Sequence, residues 1–152
     1  MRKLLFCIFF ASSALISKGQ SNAKVEEIPY KLFSSYSPFT LMKAVRGTGK
    51  AGNRILTVMG KFPSKSVSLA DVKKLIHKIK DEDQCACLLS PLSSNLPKQN
   101  ETANLGGYAV LLINAYRTKS DITPGLYRCP KTSQKDVSEI LNWWNEAKDT
   151  LK

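Results

Sequence analysis

The stretch from Asn104 to Thr118 constrains this chain more than any other. Leu105, Tyr108, Ala109, Leu112, Ile113 and Tyr116 recur at helical spacing, and Leu111 and Ala115 widen the apolar face well beyond one stripe. A helix apolar over most of its circumference has to be covered on several sides. Gly106 and Gly107 each weaken such a helix by about 1 kcal/mol relative to alanine, so they are expected where another backbone comes close. The reading is a central helix around which the rest packs.

Two further helices announce their own starts. Ser68 with Asp71 three residues on forms a capping-box signal, followed by Val72, Leu75, Ile76 and Ile79 at i, i+3, i+4 and i+7. That helix ends near Lys80, with Lys73, Lys74 and Lys78 on its other faces. Ser133 and Asp136 repeat the signal before Val137, Ile140, Leu141, Trp144 and Leu151. Trp143 lies about 100° from Trp144, at the edge of that stripe. Earlier, Leu32, Phe33, Tyr36, Leu41, Met42 and Val45 have helical spacing broken by Pro38. Gly47 to Gly52 reads as a turn and Ile55 to Met59 as a strand or helix, which allows a short β-hairpin near 47–60. The expected fold is mainly α: one helical domain over residues 29–152 with four to five helices.

Met1 to Gln20 has the organisation of a secretory signal peptide. Arg2 and Lys3 precede the apolar run Leu4 to Phe10, and Ser17, Gly19, Ser21 and Ala23 offer cleavage points. A membrane-spanning helix needs about 20 apolar residues, more than this run supplies. Residues 21–28 read as a flexible leader. The expectation is a secreted or periplasmic protein with no transmembrane segment after cleavage. In an oxidising compartment two of Cys85, Cys87 and Cys129 should pair. A bond from Cys85 or Cys87 to Cys129 closes a long loop, stabilising by up to about 4 kcal/mol, and leaves one odd thiol.

Charge is unevenly placed. Residues 24–80 carry 12 Lys/Arg against Glu26, Glu27 and Asp71, a net +9, whereas residues 81–152 carry −1. A basic half suits an anionic partner. Export argues against nucleic acid and leaves an acidic protein or an anionic envelope surface. Gly47, Gly49 and Gly52 spell GxGxxG, but a dinucleotide site needs a buried strand before the first glycine, and the spacing around Lys43 is helical. No cofactor is expected. His77 falls on the polar side of its helix, and C-x-C spacing at Cys85 and Cys87 is a weak match to a metal site. Asp81-Glu82-Asp83 reads as a solvated helix end. Asn100-Glu101-Thr102 is a formal glycosylation sequon.

The motifs Pro91-Leu92-Ser93-Ser94, Leu96-Pro97, Thr102, Leu105-Gly106, Leu112-Ile113, Ala115-Tyr116-Arg117 and Trp143-Trp144 resemble small exported bacterial proteins of unassigned function with a HEAT-like helical C-terminal half, over residues 85–147. The resemblance implies a helical fold and no catalytic motif. Small periplasmic immunity proteins offer a looser similarity. The function that follows is non-enzymatic binding of another macromolecule, as an inhibitor or immunity-type protein. Its binding candidates are Lys73, Lys74, Lys78, Tyr127 and Trp143. The rivals are an envelope thiol protein using Cys85 and Cys87, and a structural envelope component.

Overall fold

A computed structural model describes residues 30–50, 54–94 and 101–150. The signal-like segment, the leader at 21–28, Gly52, Leu96-Pro97, Asn100 of the sequon and Leu151 lie outside the described residues.

The first helix, α1 (Pro38–Lys50), begins where the sequence places its break. Proline at a first helical position loses no hydrogen bond, since that N–H has no intrahelical acceptor. Just before it, the Ser37 N–H donates to Thr40 Oγ1 at 2.7 Å and the Thr40 N–H donates to Ser37 Oγ at 3.3 Å. The helix continues through Gly47 and Gly49, which corrects the expected turn there. The two glycines therefore do not form the strand-to-helix bend of a dinucleotide site.

Residues before Pro38 depart from the expected helix as well. Lys31–Leu32 form strand β1 and Phe33–Ser35 a short 3₁₀ turn. Ile55–Met59 is strand β2, and it pairs in parallel with β1, so no hairpin forms at 47–60. The capping box at Ser68 is present as read: its hydroxyl accepts the Asp71 N–H and the Asp71 carboxylate accepts the Ser68 N–H. It starts α2 (Leu69–Leu75), which tightens into a 3₁₀ turn at Ile76–Lys78.

Strands β3 (Gln84–Cys85) and β4 (Cys87–Leu89) follow, then β5 (Ala103–Asn104), α3 (Leu105–Thr118), β6 (Tyr127–Arg128) and α4 (Gln134–Ala147). One sheet runs β1-β2-β4-β6, parallel except at β6, and β3 pairs antiparallel with β5 in a second. Helices α1 and α2 are thus the crossovers between parallel neighbours, as a parallel pair requires. The expected mainly-α domain is corrected to an α/β mix: among the described residues, four α-helices accompany a four-stranded mixed sheet and a two-stranded one. The helices were legible because each carries several turns of period; strands of two or three residues carry none.

Helix α3 is the centre, as its composition requires. It contacts α1, α2, α4 and β5, and Tyr108, Ala109, Leu112 and Ile113 are fully buried within one apolar cluster with Phe33, Leu41, Val58 and Phe62. Asn104 caps it through the Gly107 N–H at 2.7 Å. The two glycines do admit a neighbouring backbone: a Cβ on Gly106 would lie 2.6 Å from the Ile79 carbonyl oxygen, and one on Gly107 2.5 Å from that of Pro130. No helix among the described residues is long and apolar enough to cross a membrane.

Candidate functional site

The candidate residues fall into three groups, and the fold sets each in a different place. The first is the cysteine cluster. Cys87 of β4 is joined to Cys129, one residue past β6, in a disulfide with Cα atoms 4.4 Å apart. The bond pins the connection between α3 and α4, the long loop that the sequence marks with Pro124-Gly125 and Cys129-Pro130. It is consistent with an oxidising compartment.

Among the described residues Cys85 is the remaining thiol, 2 % exposed on β3. Helix α1 closes over it because Gly49 has no side chain; a Cβ there would meet the Cys85 Cα at 2.9 Å. Burial, with the carboxylates of Asp81 and Asp83 adding to it, pushes the Cys85 thiol up to about 12. Nucleophilic and metal-binding cysteines act as thiolates and have depressed values, so this thiol is held in its unreactive form at neutral pH. Beside it, the Tyr108 hydroxyl donates to the Ala86 carbonyl at 2.8 Å, and burial holds that phenol well above its usual range. A recess of about 230 Å³ borders Cys85, Gly49, Arg54, Gln84 and Thr102. His77 is exposed after α2, and no three His, Cys, Asp or Glu side chains gather to hold a metal among the described residues.

The second group is the lysines. Lys73, Lys74 and Lys78 are all exposed, on α2 and the turn that continues it. The Lys74 ammonium stands 5.8 Å from the centre of the Phe39 ring, and Lys78 Nζ is 4.0 Å from an Asp81 oxygen. Phe39 and Asp81 are part-buried, but the lysines are exposed, and an ion pair at such a position contributes no more than about 1 kcal/mol. The ammonium groups therefore face water rather than supporting the core. Arg46 of α1 pairs with Asp83 nearby in the chain's fold.

Tyr127 and Trp143 form the third group, and the fold separates them. Tyr127 is half-buried in β6 opposite Leu89. Trp143 is half-buried on α4 against α3, its ring 6.5 Å from Tyr116 and 6.0 Å from Trp144. Arg117 lies over Trp143 at 5.3 Å while its Nη2 donates to Glu139 at 3.1 Å. Its Nη1 is buried with no hydrogen-bond partner among the described residues, which the ring face beneath it helps to offset. Sequence reasoning missed Arg117 as the partner of Trp143. The spacing from Tyr116-Arg117 at the end of α3 to Trp143 gives no local signal, because the contact is made between helices.

The chain matches no protein-family model, no curated protein and no solved structure.

Proposed function

We propose that this is an exported, non-enzymatic binding domain that uses the lysines of α2 to engage an acidic protein. The observation that carries the reading is the exposure of Lys73 and Lys74 on α2 and of Lys78 on the turn that continues it, in the half of the chain with a large cationic excess. Clustered cations of this kind accelerate and orient encounter with an acidic surface. The resemblance of residues 85–147 to small exported proteins points the same way, on motifs alone. An envelope thiol function has less support: Cys87 is bound to Cys129, and Cys85 is buried with its thiolate disfavoured.

The test is capture from an envelope extract by the native protein and by its Lys73→Glu/Lys74→Glu/Lys78→Glu variant. An acidic protein retained by the first and lost from the second, with equal thermal unfolding of both, is the expected result. Equal capture rejects this face.

A further inference from the structure

The recess beside Cys85 is one of three that adjoin. It shares Gln84 and Thr102 with a second of about 260 Å³, and the second shares Glu82 and Asn104 with a third of about 230 Å³. Each alone is smaller than the roughly 300–1,000 Å³ of a usual ligand site, whereas the three in a row make a furrow of that size. Gln84 and Asn104 are register partners, so the furrow runs over the β3–β5 ladder.

One donor in it is held in advance. Asn104 Oδ1 accepts the Gly107 N–H at 2.7 Å and the Thr132 N–H at 3.2 Å, with Thr132 Oγ1 at 3.4 Å. Two of these partners are backbone donors, which fixes the accepting atom as oxygen and leaves Nδ2 on the other arm. That nitrogen donates to nothing among the described residues, and Asn104 borders two of the recesses.

The walls decide the class of ligand. Thr132, Ser133 and Gln134 add hydroxyls and a carboxamide to those already named, and no aromatic ring borders any of the three recesses. Such groups suit a partner made of hydroxyls, which both donate and accept. Cations outnumber anions: Arg54, Lys80 and Lys131 stand against Glu82. Lys80 and Lys131 are exposed and form no ion pair among the described residues. A peptide finds less to hold, since it needs apolar or aromatic anchors or a free strand edge. Both edges of this ladder are engaged: the Asn104 N–H donates to the Pro130 carbonyl at 3.0 Å, and the Ala86 N–H to that of Val45 at 3.1 Å.

We infer that the furrow binds an acidic oligosaccharide, a chain of hydroxylated rings bearing carboxylates. Asn104 Nδ2 donates to a sugar oxygen, and Lys80 and Lys131 meet the carboxylates. None of Lys73, Lys74 and Lys78 borders the furrow, so this site and the α2 face stand or fall separately.

The test is an amide NMR titration of the full chain with tetragalacturonate, uncharged maltotetraose and tetraglutamate. Tetragalacturonate should shift Gln84, Thr102, Asn104 and Thr132 saturably and bind about tenfold more tightly than maltotetraose. Asn104→Asp keeps the cap and the accepting oxygen but removes the donor. Its thermal unfolding should match the native protein while affinity falls about tenfold. Lys131→Glu, at an exposed position, should weaken binding similarly, and Lys73→Glu/Lys74→Glu/Lys78→Glu should leave it intact. Absence of saturable shifts overturns the inference, as does undiminished binding by Asn104→Asp. An equal loss from the α2 variant also overturns it, by making the response a general attraction for polyanions. Equal affinity for tetraglutamate would do the same and assign the furrow to an acidic peptide.

Discussion

Cys87 and Cys129 face one another one step beyond the Leu88–Arg128 pair of the β4–β6 ladder, joined by a disulfide across a sequence separation of 42. The bond fastens the last strand of the sheet to its interior neighbour. Cys129→Ser should lower stability by up to about 4 kcal/mol through the loop it releases, read as a shift in the urea midpoint. An unshifted midpoint would mean that the ladder holds without it.

Two glycine substitutions should act with opposite signs. Gly107→Ala would thrust a methyl group against the Pro130 carbonyl, where backbone has to move, and should destabilise by about 1–3 kcal/mol. Gly47→Ala meets nothing within 4 Å in the same kind of helical setting. It should stabilise by about 0.5–1 kcal/mol through backbone entropy. Paired thermal unfolding of the two variants checks both.

Stability should decline in alkali. The Cys85 thiol rises from its ordinary 9.0 to about 12 on folding, so between those values the unfolded chain loses a proton that the folded chain keeps. The thiol's contribution is complete below about pH 9 and falls by about 1.4 kcal/mol per unit above it. Tyr108, raised from 10.0, adds in the same direction. Unfolding free energies of native protein and Cys85→Ala, compared at about pH 8 and pH 10, should show the shallower decline in the variant.

Tyr108→Phe removes the donor to the Ala86 carbonyl in a fully buried setting. The unpaired oxygen should cost about 1–3 kcal/mol with little change in volume, measured by chemical denaturation. A neutral result would mean that another donor reaches Ala86.

The same physical distinction explains what was legible. Ser68 and Ser133 were readable as helix starts because a cap and its acid three residues on make a local, chemically specific signal. Gly106 and Gly107 were readable as a close approach because their cost inside a strongly apolar helix needs a reason. β1 was hidden within the spacing of Leu32, Phe33 and Tyr36, since two residues of strand define no period. Cys87 to Leu89 are buried on both faces and show no alternation, so nothing local marked them as a strand. Of the candidate site, the exposure of Lys73, Lys74 and Lys78 followed from helix phase. The choice of Cys87 over Cys85 as the partner of Cys129 did not, because it depends on which residue of β4 meets β6.

Along the main sheet the strands stand in the order of the chain, with β3 and β5 set aside in their own ladder. A polypeptide delivered amino end first can therefore add each strand to an edge already laid down, without waiting to insert one between two others. The arrangement suits vectorial assembly: early neighbours need no later separation, and the covalent clasp at the far edge closes when the work is nearly finished.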